Sequence, residues 1–293
     1  MQKRKVTDEA NDVKTSSEKN DVKASNEKEE NKLSKKVKKN KFNYSIWTVL
    51  EYFIIYSFIG YVIETLYGLL TKGVIESRQS MLYGPFCCIY GLGAICLICI
   101  PKSAKKNNWT LFITGFLIGS VVEYVVSWIG EVIFNIKWWD YSSYPLNING
   151  RICVYFSIFW GILTICLNKV INPTVDKILA KIPVKTLHIL TVILIIFIAI
   201  DFLITSFALK MFETRLIYNY NLEVQGAEDY YEHYLDIYQN NPGLKDFVDK
   251  VFSDEKMIRT FPNIKFTLQD GSILWVKDIL TDIKPYYIKL FDD

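Results

Sequence analysis

Histidine is scarce in this chain, and several nucleotide-binding and hydrolase motifs are missing from it. His188 and His233 are the only two histidines, which are too few and too scattered for a histidine-based metal site. The sequence has no GxxxxGK loop followed by Ser or Thr, no GxSxG and no HExxH. It therefore has no P-loop for nucleotide hydrolysis. We predict no catalytic residue, no bound metal and no cofactor from these patterns.

Cysteine is present, but only inside apolar segments. Cys96 and Cys99 form a CxxC within a continuous apolar run rather than beside a soluble βαβ pattern. Such cysteines favour packing over redox or metal chemistry. The six positions are Cys87, Cys88, Cys96, Cys99, Cys153 and Cys166.

Apolar residues are missing from one end of the chain and concentrated elsewhere. Residues 1–42 contain nine of them, whereas 18 of the 23 residues in 187–209 are apolar. Segment 1–42 cannot bury enough apolar surface to fold, so we predict a disordered basic tail with 13 Lys/Arg against 8 Asp/Glu. Its basic run at 35–41 is equally consistent with binding anionic headgroups and with a topology signal alone.

Long apolar segments predict an all-α polytopic membrane protein with about five transmembrane helices in a bundle. Each segment reaches the roughly 20 residues that a span needs. We predict a tail at 1–42, a transmembrane domain at 43–212 and a C-terminal segment at 213–293. The predicted spans are 44–70, 81–101, 109–134, 151–171 and 187–210.

Basic residues alternate between the predicted loops. The tail and the loops at 102–108 and 172–186 are rich in lysine, whereas those at 71–80 and 135–150 hold few basic residues. The positive-inside rule then places the N-terminus in the cytoplasm and, after five spans, the C-terminal segment outside.

The C-terminal segment is polar and acidic, with nine Lys/Arg against fifteen Asp/Glu. One helical face is predicted from residues spaced at i, i+3, i+4, i+7 and i+8. Asp270-Gly271 could turn a hairpin. We predict a small, mostly helical segment resting on the membrane surface or on the bundle. The face comprises Leu244, Phe247, Val248, Val251 and Phe252.

Ionisable residues inside apolar spans are the main functional signal. Each costs about 2.5–3.5 kcal/mol near a bilayer centre, and such residues usually mark ligand or ion paths. We interpret them as a polar cavity that opens outward, with Arg151 as counter-ion to Glu64 or Glu131. A structural network that only fixes helix packing is the alternative. The predicted cluster is Glu64, Glu123, Glu131, Asp140, Arg151 and Asp201, while Glu51 lies at the inner end of its span.

Four ordered motifs resemble one known family. The run from Met81 to Ala94 is similar to its LYGPxCPIYGxGA, and Glu123 to Glu131 to its EYxxSWxxE. Residues 138–153 resemble WWDYSxxPxNxNGRIC, and 56–64 resemble YSFIGWxxE. Together they match the bacterial CmpB-like family of type IV ABC-transporter permeases over about 44–212. The motif positions are Tyr83, Gly84, Pro85, Tyr90, Gly91, Trp138, Trp139, Asp140, Tyr141, Asn147, Asn149, Gly150 and Arg151.

The resemblance implies a permease of a bacterial cytoplasmic membrane that works with a separate cytoplasmic ATPase. The 172–186 loop is the better ATPase dock, because the 102–108 loop is short. Membrane lipids, an ATPase subunit and a second copy of the chain are the partners left open, and nucleic acid is excluded by the composition. Two other functions compete with transport. They are a membrane-embedded or lipid-modifying enzyme using paired carboxylates, and a structural or sensory protein whose acidic segment binds a partner.

Overall fold

The computed structural model describes residues 45–100, 107–228 and 230–290. Predictions for the tail at 1–42, and for most of the loop at 102–108, lie outside these ranges. Within them, four helical stretches are long and apolar enough to cross a membrane. They are α1, Ile46–Lys72; α3, Asn108–Phe134; Val154–Leu179, which comprises α4 and α5; and α6, Val184–Tyr220.

Local sequence signals set the ends of α1 and α3. The Ser45 hydroxyl accepts a hydrogen bond from the Trp47 amide at 3.1 Å, and Asn107 caps α3 in the same way at 2.9 Å. These side chains satisfy amides that the first helical turn leaves without partners. Gly73 and Asn135 end the two helices in the left-handed conformation.

The second predicted span is not one continuous helix. Only α2, Cys88–Ile98, is helical there, and its 11 residues cover about 16 Å of a core about 30 Å thick. Residues 77–87 form no helix. The segment still runs along α1, because Arg78 lies beside Gly68 and the Cys87 amide donates to the Ser57 carbonyl at 2.8 Å. The second predicted span is therefore a short helix preceded by a non-helical segment, and we call residues 77–98 the second crossing.

Small residues bring α3 and α4, Val154–Cys166, into close contact. A Cβ built on Gly115 would lie 2.1 Å from the Thr164 hydroxyl, and one on Gly119 would lie 2.4 Å from the Trp160 ring. The two glycines, four residues apart, therefore let the helices approach closely. Ser120 donates to Ser157 across the same interface at 2.7 Å.

The helical stretch Val154–Leu179 is interrupted by a π-helical turn after α4. A π-helical turn at Leu167–Ile171 leads into α5, Asn172–Leu179. There the hydroxyls of Tyr52 and Tyr56 on α1 donate to Asp176 and Asn172. These contacts tie α5 to the N-terminal half of α1.

The last helix is longer than a bilayer requires and carries the C-terminal segment. At 37 residues, α6 is about 55 Å long. The residues around Phe212 and Leu216 are enclosed by the C-terminal segment and share its apolar core with Val248, Ile258 and Phe266. The segment is thus folded around the end of α6.

The described part of the C-terminal segment contains four helices and three short strands. Its helices are α7, Tyr231–Asn240; α8, Pro242–Val251; α9, Asp254–Thr260; and α10, Val276–Ile279. Its strands are β5, Lys265–Thr267; β6, Ile273–Trp275; and β7, Tyr286–Lys289. Earlier in the chain, β3, Asn147–Ile148, pairs with β4, Ile152–Cys153. Asp270-Gly271 lies in the turn of the β5–β6 hairpin, with Gly271 at φ +81°.

Two antiparallel pairings attach this segment to the ends of the spans. Strand β1, Val74–Glu76, follows α1 and pairs with β7. Strand β2, Ile136–Lys137, follows α3 and pairs with β5. The ends of α1, α3 and α6 therefore meet the C-terminal segment on one side of the bundle.

The helical face predicted in the C-terminal segment lies on α8 and the residue that follows it. Val248 and Phe252 are fully enclosed, and Leu244 and Val251 pack against the same core. Phe247 is the exception, since it is 49% exposed.

Candidate functional site

The predicted polar residues separate into distinct groups in the structure. Glu64 and Glu123 share one set of aromatic neighbours, and we call them the carboxylate pair. Glu131 and Arg151 form an ion pair nearer the end of α3. Asp201 lies apart on α6, and Asp140 belongs to a local turn.

Neutral aromatic side chains hold the carboxylate pair. The Tyr90 hydroxyl donates to Glu64 at 2.7 Å. Glu123 accepts from the Tyr141 hydroxyl at 2.9 Å and from the Trp160 indole at 3.2 Å. The rings of Tyr90 and Trp160 also contact each other, with centroids 5.6 Å apart. Contacts among these aromatics thus connect the two carboxyl groups.

Both carboxyl groups lie inside the spans. Glu64 is about 12 Å along α1 from the end at Lys72, and Glu123 is about 16 Å along α3 from the end at Phe134. Glu123 is 5% exposed. Among the described residues, no basic side chain forms an ion pair with either one. The hydrogen bonds reduce the cost of burying these groups but supply no positive charge.

The loop at 138–153 positions Tyr141 by satisfying its own polar groups. The Tyr141 amide donates to the Gly150 carbonyl at 2.8 Å. The Asn147 amide group donates to the Tyr144 carbonyl at 2.8 Å, while its oxygen accepts from the Gly150 amide at 3.1 Å. Non-helical backbone is tolerated near a bilayer when its polar groups are paired in this way.

The same loop packs onto α3 and α4. The Tyr141 ring stacks on Phe156 with centroids 4.6 Å apart, and Asn149 donates to the Tyr124 hydroxyl at 2.9 Å. Gly150 has φ +65°, and a Cβ there would lie 2.5 Å from Asp140. Glycine is therefore required at this position by both conformation and space.

Tyr141 remains a proton donor in this environment. Burial raises its pKa above the ordinary tyrosine value, and the charge and hydrogen bond of Glu123 raise it further. The charge of Glu64 acts in the same direction. Both carboxyl groups therefore interact electrostatically with the Tyr141 hydroxyl.

The structure pairs Arg151 with Glu131 rather than with Glu64. The Arg151 guanidinium donates to one oxygen of Glu131, while Lys137 approaches the other at 3.6 Å. The Trp139 indole donates to the Arg151 carbonyl at 2.9 Å. Arg151 also lies over the Tyr124 ring, 5.4 Å from its centroid. This arginine is thus already engaged at the rim of the site.

Asp201 accepts hydrogen bonds from backbone amides in the non-helical segment that precedes α2. Its carboxylate accepts from the Gly84 amide at 2.8 Å and from the Tyr83 amide at 3.2 Å. Thr205 donates to it at 3.2 Å and accepts from the Leu82 amide at 2.9 Å. Two side chains of α6 thus satisfy three backbone amides that no helix satisfies.

Asp140 has a local role. It accepts from the Ser142 amide at 3.2 Å and the Ser142 hydroxyl at 2.6 Å, which closes a turn within the loop. Trp138, another motif position, packs beside Gly130 and against Phe261.

Sequence reasoning missed Trp160 as a functional candidate. It stands in an apolar run, where its indole carries no signal, yet it donates to Glu123 and fills the space beside Gly119. Tyr90 and Trp160 also border a small cavity of about 20 Å³. This volume is close to that of a single water-sized probe, so the bundle is closed to solutes at that point.

One family model matches the chain, over residues 51–206. Its description is "Putative ABC-transporter type IV". The chain belongs to this family. The match covers the carboxylate pair, the loop at 138–153 and Asp201. Neither the curated proteins nor the solved structures that were compared include a match to this chain.

Family membership and the four apolar helices together identify a membrane protein of ABC-transporter type. They fit a membrane component of a transporter. The resemblance drawn from the four sequence motifs is thereby confirmed.

Proposed function

We propose that this protein is the permease component of a transporter, in which the carboxylate pair lines the path of a solute. The observation that carries the proposal is the pairing of Glu64 and Glu123 with uncharged donors alone among the described residues. Keeping two such acids inside spans is costly. Their uncompensated negative charge favours a solute that carries a positive group, or protons.

During transport, an outward-facing polar cavity would open around the carboxylate pair, with the Glu131–Arg151 ion pair at its rim. The orientation follows from the lysine-rich loops, which place the N-terminus in the cytoplasm of a bacterial cell and the C-terminal segment outside. In this conformation the rings of Tyr90 and Trp160 contact each other beside the carboxylate pair. Transport requires these two rings to separate.

A separate cytoplasmic ATPase supplies the energy, since the chain has no P-loop of its own. The dock is the segment that contains α5, Asn172–Leu179, at the opposite end of the bundle from the C-terminal segment. Val175 is buried there, whereas Lys177 points to solvent. The side chains of Tyr52 and Tyr56 connect α5 to α1, so movement of α5 would be passed to the helix that carries Glu64. A second copy of the chain would complete a two-permease assembly.

The experiment has two arms. Affinity purification from native membranes is expected to recover an ATPase, and deletion of the gene is expected to change the cellular content of a solute. Complementation with Glu64→Gln or Glu123→Gln should fail to restore that content, because each removes one negative charge while keeping the shape of the side chain.

Glu51→Gln is the matched control. It makes the same chemical change in α1, but near the end that begins at Ile46. It should restore the solute content at equal membrane abundance. Absence of an ATPase together with normal solute content in the deletion strain would refute the transport proposal.

A further inference from the structure

Four lysines from separate elements converge where the spans meet the C-terminal segment. Lys72 ends α1, Lys137 lies on β2, Lys265 on β5 and Lys277 on α10. Lys137 and Lys265 are direct cross-strand partners in the β2–β5 pair. Lys72 donates to Asn263, two residues before Lys265, at 3.3 Å. We call these four residues the lysine cluster.

Trp275 lies at the centre of the cluster. The Lys265 ammonium is 4.0 Å from its ring centroid and the Lys277 ammonium is 4.3 Å from it. Trp275 is also the cross-strand partner of Lys265 in the β5–β6 hairpin. Cation–π contacts therefore hold two like charges close to one ring.

Lys265 is buried without an acceptor for its protons. It is 3% exposed, yet among the described residues no oxygen accepts a hydrogen bond from it and no carboxylate forms an ion pair with it. The nearby acids are partly committed, since Glu76 binds Lys72 at 2.6 Å and Glu131 binds Arg151. Asp140 is the remaining acid that acts on Lys265, and it does so only through its charge. The ammonium itself is not among the fully buried atoms without a partner, so solvent or an anion can reach it.

The cluster lies at headgroup level. Lys72 and Lys137 lie at or just after the ends of two membrane-length helices. Trp138 and Trp139 stand beside them, and tryptophan is typical of the membrane–water interface. Side chains at this depth meet the phosphate groups of lipids.

We infer that Lys72, Lys137, Lys265 and Lys277 form a binding site for a phosphate group beside Trp275. The phosphate oxygens accept from Lys265 and Lys277, and Lys72 and Lys137 add positive charge around them. The source is the headgroup of an anionic phospholipid or free inorganic phosphate. This site is separate from the carboxylate pair and does not depend on the transport proposal.

Electrostatics supports the same conclusion. Burial lowers the pKa of Lys265 to about 8, the charge of Asp140 opposes this shift, and the charges of Lys277, Lys72 and Lys137 strengthen it. Lys72 and Lys137 already have acidic partners, Glu76 and Glu131, so a bound anion mainly relieves the repulsion between Lys265 and Lys277.

The test uses the full-length protein, purified and delipidated in detergent, with native mass spectrometry as the readout. The probes are short-chain phosphatidylglycerol, diacylglycerol with the same chains, and inorganic phosphate. We expect phosphatidylglycerol to bind and diacylglycerol not to. The Lys265→Met/Lys277→Gln variant should weaken phosphatidylglycerol binding about tenfold or more. Displacement of the lipid by millimolar inorganic phosphate would identify free phosphate as sufficient, and no displacement would show that the lipid is required.

Lys250→Met is the matched control, because it removes one charge from a lysine that is 79% exposed on α8. It should bind phosphatidylglycerol like the wild type. Lys277→Gln alone changes an exposed side chain and guards against misfolding of the double variant. Equal binding of phosphatidylglycerol and diacylglycerol would overturn the inference. Wild-type lipid binding by the double variant would overturn it as well.

Discussion

Two regions of the bundle bury acids in different ways. Asp201 accepts hydrogen bonds from the backbone amides of Tyr83 and Gly84. These residues lie outside any helix, so no helical carbonyl accepts from their amides. Glu64 and Glu123 accept only from side chains of other residues. A backbone donor cannot move away without changing the fold, whereas a side chain can rotate. Asp201 is therefore part of the scaffold, and the carboxylate pair can exchange its partners for a ligand.

The largest expected effect comes from removing the scaffold acid. Asp201→Ala leaves two backbone amides and the Thr205 hydroxyl without an acceptor, so we expect a loss of about 3–5 kcal/mol in the free energy of unfolding. Unfolding in detergent, followed by circular dichroism, measures it. Asp201→Asn keeps one acceptor oxygen and should lose less. Equal stability of Asp201→Ala and wild type would contradict the structural role of this acid.

Lys265 extends the comparison to a largely buried lysine whose ammonium has no acceptor within the described part of the chain. Its pKa of about 8 in the folded protein lies below that of an exposed lysine. The unfolded chain therefore holds the proton more tightly, and stability should rise as pH increases from about 8 to 10.4. Lys265→Met should add about 1–3 kcal/mol at pH 7 and remove this rise.

The measurement for Lys265 is the difference in unfolding free energy between Lys265→Met and wild type at pH 7 and pH 10. Taking the difference cancels the titration of groups that the two proteins share. If this difference is the same at both pH values, the pKa of Lys265 is not lowered in the folded protein.

A smaller effect is expected from the donors of the carboxylate pair. Tyr141→Phe removes one hydrogen bond to Glu123, and Trp160 remains as a donor, so we expect a loss of about 1 kcal/mol. Thermal unfolding of the purified variant tests this value. Tyr144→Phe is a suitable control, since it keeps a ring in the same loop and removes a hydroxyl that does not contact Glu123. A loss above about 3 kcal/mol would show that Tyr141 belongs to the scaffold.

The smallest effect on stability should come from Glu123→Gln. Glutamine keeps an oxygen that accepts from Tyr141 or Trp160 and removes the cost of a buried charge, so we expect a change below about 1 kcal/mol. Solute content should nevertheless fail to recover in the complementation assay. If Glu123→Gln strongly destabilised the protein but left the solute content normal, Glu123 would be a structural acid like Asp201 and not part of a ligand site.

Four of the predicted spans coincide with long helices because about 20 consecutive apolar residues leave few alternatives in a membrane. The second crossing was not predictable in the same way. Averaged over 81–101, the hydropathy is that of a single apolar span. Only Gly84-Pro85 indicates that the helix is interrupted there. Its stability depends on Asp201, which is far away in sequence.

The candidate site was predictable as a set of residues but not as an arrangement. Acidic residues are rare in apolar segments, and this alone is enough to select Glu64 and Glu123 from the sequence. Their shared neighbours depend on the rotation of α1 and α3 and on a loop whose strands are two residues long. The same limit applies to β5–β7, since runs of three or four residues are too short for a clear period of two.

The hydrogen bond between Asp201 and Gly84 joins residues that are 117 positions apart. At about 5–20 residues per second, synthesis of that stretch takes roughly 6–23 s. Until α6 enters the membrane, the amides at 82–84 have no acceptor from this helix. During synthesis, the second crossing therefore leaves the ribosome before Asp201 is made. It has to wait for this acceptor in the insertion machinery, in water or beside a chaperone. Truncation before Asp201 should leave the second crossing unable to insert stably in lipid.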